Sequence, residues 1–377
     1  MRICFVGNLG TIHTVRWLRY FAEHGVETHV LSVADPAAAP LPDGVVVHEF
    51  HAPRAKIRAV SFALAVLTVL PRVWRARKIL NEIKPDIVHA HYISDYALIT
   101  AMTGFQPLVV TAWGSDVLIH PKKNRFLKWL VRYVIKRARL ITCDAQHMKA
   151  ALVNLGADAA KVEIIFFGTD TDKFHPRRRD MKVHTELGGD DSAQVVISLR
   201  RLEPIYDIPT LINAVPHVLK DLPRTRFVIV GSGSLLDSLK AQASDLSVIH
   251  AINFLGQLKE ETLAGVVASS DVYVSTSLSD AGLSASTAEA MSSEVPVIIS
   301  DVLENGQWVE HGVSGLLFKG GDPESLADCI VTVLKNNDLR RKLGQNGRQV
   351  INERNSLAGQ MHRMHGLYEN LAAKTTG

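Results

Sequence analysis

A chain of 377 residues has room for two domains at roughly 100–200 residues each. Apolar residues make up 47% and charged residues 21%, which excludes a disordered chain, a collagen-like repeat and a disulfide scaffold. The net charge of +4 is unevenly spread: residues 1–170 carry 21 Lys and Arg against 13 Asp and Glu, and the remainder 21 against 25. Only the first part is therefore suited to a polyanion or an anionic membrane.

In chain order, the pattern is strand, loop, helix, repeated. Apolar strands are expected at Ile3–Val6, Thr28–Val33, Val45–Glu49, Asp86–His89, Leu108–Thr111, Leu140–Cys143 and Val162–Phe166. Helical spacing falls between them at Thr14–Glu23, from about Lys56 to Ile83, and at Tyr96–Met102, Phe126–Lys136 and Met148–Leu155. Continuous apolar strands alternating with helices predict a parallel sheet covered on both faces. Residues 168–192 are polar and aperiodic, which reads as an interdomain linker. The alternation then restarts, with strands at Val195–Ser198, Phe227–Val230, Ile249–Phe254, Val272–Ser275 and Val297–Ser300. Three helical patterns close the chain: Pro323–Leu334, Asp338–Asn352 and Ser356–Leu371. The fold class is α/β, two doubly wound Rossmann-like domains facing a cleft, with ligands beyond the carboxyl ends of the strands.

Cys4, Cys143 and Cys329 sit in apolar runs without a CxxC, the pattern of free thiols in a reducing compartment. The N-terminus runs straight into a strand without signal-peptide architecture. The longest apolar stretch, Ala59 to Leu70, has 12 residues. A membrane span needs roughly 20, so a cytoplasmic protein is expected.

The sharpest chemical signal lies at residues 271–300. A strand ends at Ser275, a Ser- and Gly-rich loop follows, and a helix begins near Ser284. Free N–H groups and the dipole at that helix start favour an anion. Glu289 lies about one and a half turns further on. From there its carboxylate can reach a ribose diol beside a phosphate held at the helix start, whereas a solvent-facing Glu fits poorly among small apolar neighbours.

Glu289-Ala290-Met291 and Val295-Pro296-Val297 make this stretch resemble the retaining glycosyltransferases of family four, which have the GT-B fold. The first Glu of the family pattern is Ala281 here, with Asp280 as the neighbouring carboxylate; Gly282 and Leu283 fit the segment that contacts the donor diphosphate. The resemblance extends over the whole chain. Gly7-Asn8-Leu9-Gly10 followed by His13 looks like the glycine loop, although such glycines also simply form turns. Lys84 to His91 resembles a Pro-Asp-x-x-His-x-His strand. Val110 to Asp116 resembles Thr-x-His-Gly-x-Asp, with Trp113 replacing the His. Ser198 to Pro204 corresponds to the strand end holding a diphosphate-binding Arg, Arg200 or Arg201, and Tyr206 stands where a Lys is usual. Gly231-Ser232-Gly233 and the loop at Gly256 are similar to further nucleotide contacts.

The resemblance implies a glycosyltransferase that moves a sugar from a UDP- or GDP-sugar to a lipid-linked or polysaccharide acceptor, without a metal or other cofactor. Residues 1–170 would form the acceptor domain, 171–192 the linker and 193–355 the donor domain; 356–377 would form a helix able to cross back to the first. Arg200, Asp280 and His13 are the implied catalytic residues. Gly10, Arg201, Gly231, Gly233, Gly256, Gly282, Leu283, Ser284 and Glu289 are the implied donor contacts. A nucleotide-sugar epimerase, or a catalytically weak sugar-nucleotide-binding subunit, are the alternatives.

His89 and His91 share one strand face and can chelate, but no carboxylate cluster accompanies them. Residues 121–139 hold eight Lys and Arg, and residues 52–78 hold seven; neither segment contains an acid. In the first, Phe126, Leu127, Leu130, Val131, Val134 and Ile135 recur at helical spacing. A core-facing helix accounts for the stripe, and peripheral contact with an anionic membrane accounts for the lack of acids. Nucleic-acid binding lacks a reader motif.

Overall fold

The structure, a computed structural model, describes residues 1–32, 40–49, 62–93, 95–190, 192–279 and 282–374. The chain divides into two units, Met1–Phe167 with Gln360–Gly377, and Gly168–Gly359. Both are parallel α/β sheets, as the alternation predicts.

The first unit runs through β1 (Arg2–Val6), α1 (Ile12–Glu23), β2 (Glu27–Ser32), β3 (Val45–Glu49), α2 (Phe62–Ile83), β4 (Ile87–His91) and α3 (Tyr96–Thr103). It continues with β5 (Leu108–Thr111), α4 (Ser115–Leu118), α5 (His120–Lys123), α6 (Arg125–Arg137), β6 (Leu140–Cys143), α7 (Gln146–Asn154) and β7 (Val162–Ile164). The strand order is β3-β2-β1-β4-β5-β6-β7. Strand side chains alternate between faces. Cys4, Val6, Val88, Ala90, Leu108 and Val110 form one core with Leu80 of α2, Ile99 of α3, Val131 of α6 and Leu152 of α7. On the opposite face Phe5 packs against Phe21 of α1 and His89 of β4, with ring centroids 5.8 and 5.6 Å apart.

The second unit contains α8 (Met181–Glu186), β8 (Val195–Leu199), α9 (Ile208–Asp221), β9 (Arg226–Val230), α10 (Leu236–Asp245), β10 (Ile252–Gly256) and α11 (Glu260–Ala268). There follow β11 (Val272–Ser275), α12 (Ala285–Ser292), β12 (Val297–Ser300), α13 (Asn305–Trp308), β13 (Leu316–Phe318), α14 (Pro323–Lys335) and α15 (Asn337–Arg354). The final helix, α16 (Leu357–Ala373), starts in this unit and ends in the first. The strand order is β10-β9-β8-β11-β12-β13. β8 lies between β9 and β11, pairing Val196 with Phe227 and with Val272.

Three details differ from the sequence reading. Residues 171–192 are not a free linker but pack on the second unit. Ser292 Oγ donates to the Phe174 carbonyl at 2.6 Å, and Arg179 pairs with Asp271 at 3.0 Å. Ile249 sits in an exposed 3₁₀ turn, so the strand expected from it begins at Ile252. The three-residue strand β13 is too short to show as a pattern. Cys4 and Cys143 are buried and Cys329 is half-buried, all as free thiols. Burial pushes the Cys143 thiol up to about 11.

Candidate functional site

The carboxyl ends of β8, β9 and β10 meet the first turns of α12 around a cavity of about 340 Å³ in the second unit. Leu199, Arg200 and Arg201 leave β8 into it, Val230 and Gly231 leave β9, and Gln257 and Leu258 follow β10. Tyr206, Leu263, Ala285, Ser286 and Glu289 complete the lining. Arg200, Arg201, Gly231 and Glu289, singled out from sequence, thus come together. Ser284 immediately precedes this lining and Gly256 immediately precedes Gln257.

Backbone packing builds the wall. Arg200 N–H donates to the Val230 carbonyl at 3.1 Å, and Leu202 N–H to the Ser232 carbonyl at 3.1 Å. The two chains run so close that a Cβ on Gly231 (φ +141°) would lie 2.0 Å from the Arg200 carbonyl oxygen. One on Gly233 would lie 2.2 Å from that of Leu202. Both glycines therefore hold the arginine turn in place; Gly233 does not line the cavity. Glu203 ties the same loops, accepting from the Ser234 hydroxyl at 2.7 Å and its N–H at 3.2 Å. These bonds hold the Glu203 carboxyl below the usual carboxylate range.

The two arginines are placed differently. Arg200 is only 9% exposed, with its guanidinium carbon 4.5 Å from the centroid of the Tyr206 ring. Its Nη1 donates to Ser286 Oγ at 3.4 Å. The Arg201 side chain is 73% exposed, with one nitrogen 3.9 Å from Glu203. Arg200 is thus held against α12, whereas Arg201 reaches outward.

At the start of α12, Ser284 caps the helix, accepting from Thr287 N–H at 3.3 Å. Ser286 Oγ lies 2.8 Å from the Tyr273 hydroxyl, which also accepts from Thr287 Oγ1 at 3.4 Å. Thr287, Ala288, Ala290 and Met291 are buried, so the half-buried Glu289 faces the cavity from an anchored helix. Gly282 is buried and Leu283 half-buried just before the cap. Asp280 and Ala281 lie outside the described residues. Sequence reasoning missed the roles of Ser286 and Tyr273. Their hydroxyls lack a motif, and only the packing of β11 against α12 brings them together.

In the first unit, Gly10 closes the turn after β1, its N–H donating to Asn8 Oδ1 at 2.8 Å. His13 belongs to the first turn of α1, and its side chain lies outside the described part. His89 is fully buried, with Nδ1 2.5 Å from the Tyr368 hydroxyl and Nε2 2.6 Å from Thr111 Oγ1. Burial, and then His91, hold its pKa far below the usual value. With both ring nitrogens engaged, His89 serves packing rather than ligation. No group of three metal-ligating side chains occurs among the described residues. Trp113 stacks on Phe167 with centroids 4.9 Å apart. Asp116, its carboxyl raised by burial, accepts from the N–H groups of Ile93 and Trp113 at 2.8 and 3.0 Å.

The basic segment at 121–139 divides unexpectedly. Val131, Val134 and Ile135 of α6 are buried, but Phe126 is 44% and Trp129 59% exposed. The Trp129 ring stacks 6.1 Å from both Phe126 and Tyr133. Lys122, Lys123, Arg125, Lys128, Arg132 and Lys136 are exposed around this aromatic row. Phe126 is therefore not part of the core stripe expected from its spacing. In the segment at 52–78, residues 52–61 lie outside the described part; Arg75, Arg77, Lys78 and Trp74 of α2 are exposed.

Comparison with known proteins agrees with this architecture. The family described as Glycosyl transferases group 1 matches residues 182–350, and Glycosyl transferase 4-like matches residues 2–145. A sulfoquinovosyl transferase of Arabidopsis thaliana is 24% identical over 88% of this chain and 65% of its own length. The Escherichia coli UDP-Gal:alpha-D-GlcNAc-diphosphoundecaprenol alpha-1,3-galactosyltransferase is 29% identical over 68% of each chain. The chain spans between 57% and 65% of the length of the first curated relatives it matches. The structure of the Anabaena HepE protein in complex with UDP superposes with a TM-score of 0.77 at 20% identity, covering 98% of this chain and 100% of that one. Matched in both units and built on two parallel sheets, the chain belongs to the GT-B glycosyltransferases of the family-four-like kind.

Proposed function

We propose that the chain transfers a sugar, with retention of anomeric configuration, from a UDP- or GDP-sugar to a lipid-linked or polysaccharide acceptor at the cytoplasmic face of a membrane. The observation that carries this reading is the meeting of Arg200, Glu289 and the first turn of α12 around one cavity. In this reading the donor diphosphate lies against the Arg200 guanidinium and Ser286, which are themselves 3.4 Å apart, next to the helix start. Glu289, farther along, suits a ribose diol. In the transfer, the bond from the anomeric carbon to the diphosphate oxygen breaks and a bond to the acceptor oxygen forms on the same face. The departing phosphate oxygen takes the acceptor proton. Negative charge grows on the diphosphate during this step, so a fixed cation there counts most in the transition state.

The acceptors for which relatives are named favour a lipid-linked substrate, the diphosphoundecaprenol of the galactosyltransferase among them. Among the described residues no helix is long and apolar enough to cross a membrane. Peripheral attachment would instead use the basic, aromatic surface of α6. The deciding experiment incubates the chain with UDP- and GDP-sugars and a polyprenyl diphosphate sugar, with and without EDTA. Product anomeric configuration is then read by NMR. Transfer with retention in EDTA is expected; inversion, or free-sugar isomerisation without an acceptor, would overturn the reading.

A further inference from the structure

Resting on that donor-site reading, we propose that Tyr206 is a positioning residue for the diphosphate: its ring fixes Arg200, in place of a second cation. The site has a neutral ring where the family resemblance leads one to expect a lysine. That ring lies against the guanidinium, 4.5 Å from its centroid to the Arg200 carbon. The guanidinium carbon lies over the ring, and its nitrogens extend beyond that contact. Nη1 meets Ser286 Oγ at 3.4 Å, on the helix turn expected to receive the diphosphate.

The ring can act this way because its backbone is pinned. Tyr206 ends a 3₁₀ turn, Pro204–Tyr206. Its carbonyl accepts from Thr276 Oγ1 at 2.9 Å, and the Ile205 carbonyl accepts from Leu278 N–H at 3.0 Å. Asp207 closes the turn at φ +47°, its carboxylate accepting from Thr210 Oγ1 at 2.7 Å. Ring, guanidinium and Ser286 are thereby indexed to the end of β11. A lysine would bring a charge but no platform. A tyrosine brings a platform that sets where the buried Arg200 points.

The test measures calorimetric affinity for UDP and GDP, each beside its nucleoside, uridine or guanosine. The nucleoside lacks the diphosphate, so a general loss of structure lowers both affinities and a lost diphosphate contact lowers only one. Tyr206→Phe keeps the ring and should bind as the unaltered chain does. Tyr206→Leu should weaken the preferred diphosphate about three- to thirty-fold, the range of a cation–π contact, with nucleoside affinity unchanged. Tyr206→Met supplies the same readout if the Leu variant does not fold. In an Arg200→Lys background, which lacks the planar cation, the Leu substitution should lose its effect. Failure of the unaltered chain to bind either diphosphate overturns the donor-site reading along with this inference. A binding chain in which Tyr206→Leu is silent, or in which the Leu and Lys effects simply multiply, overturns the inference alone.

Discussion

Gly231 lies so close to Arg200 that any Cβ on it would stand 2.0 Å from the Arg200 carbonyl oxygen. Its φ of +141° is also one that residues with a side chain rarely adopt. Gly231→Ala must therefore push the β8 turn away from β9. The expected cost is about 1–3 kcal/mol of stability, as for an overpacked core. Urea unfolding checks the stability, and nucleoside diphosphate affinity should fall with it. An alanine variant as stable as the parent would show that the turn gives way freely.

Arg200→Ala should lower kcat/KM more than Arg201→Ala. Arg200 is buried and bonded to Ser286, whereas Arg201 reaches solvent. By analogy with removal of one oxyanion donor, the loss is about 10²–10³-fold. Steady-state kinetics on both variants decide the matter. The reverse ranking moves the role one residue along.

Glu289→Ala should weaken donor binding and leave the fold intact. The side chain is half-buried at the cavity, while its neighbours Ala288 and Ala290 carry the packing of α12. Losing a charged hydrogen bond to a ribose hydroxyl should cost about 1.5–3 kcal/mol. Calorimetry with the nucleoside diphosphate measures it, and unchanged affinity in a folded variant removes Glu289 from the site.

Acid should loosen the first unit through His89. Burial, and secondarily His91, depress its folded-state pKa below the ordinary 6.5. The unfolded chain then binds a proton that the folded chain refuses. The His89 contribution is complete above about pH 6.5 and declines as pH falls from there towards the folded pKa, at a limiting slope of about 1.4 kcal/mol per pH unit. Hydrogen exchange at β4 amides between pH 7 and 5 reports it. His89→Gln, which does not titrate, should flatten the profile; parallel profiles would assign the acid sensitivity elsewhere.

Vesicles should test the aromatic row on α6. Sedimentation with phosphatidylglycerol vesicles at low salt is expected, with release at 1 M salt, where the Debye length shrinks to about 3 Å. Each engaged Lys or Arg contributes about 1 kcal/mol near an anionic surface. Phe126→Ala with Trp129→Ala should weaken retention beyond what the unchanged charge predicts. Recovery of the unaltered chain in the supernatant would point to a soluble acceptor.

The doubly wound sheets were legible because strands covered on both faces read as continuous apolar runs, as Val195–Ser198 and Val297–Ser300 do. The meeting of Arg200 with the α12 start was legible because both lie at strand-to-helix junctions with recognisable motifs. The aromatic–guanidinium contact was not, since Tyr206 appears in sequence only as a missing lysine. The burial of His89 against Tyr368 was hidden by a separation of 279 residues. On α6, apolar spacing could not distinguish Val131, Val134 and Ile135, which reach the sheet, from Phe126, which does not. Residues 171–192 looked like a linker because their polar side chains bond to backbone groups of the second unit, which leaves no apolar pattern to read.

The Tyr368 hydroxyl against His89 also sets an order of events during synthesis. The first unit takes the part of α16 from Gln360 onward, which is made only after the whole second unit, Gly168–Gly359. At roughly 5–20 residues per second, the nascent first sheet waits about 10–40 s for that helix. Throughout this interval the face bearing Phe5, Phe21 and His89 lacks the cover that Tyr368 provides. The ribosome-bound chain therefore carries an apolar surface that the released protein does not, and stop codons that remove only the last turns of α16 would leave it permanently open to chaperones and proteases.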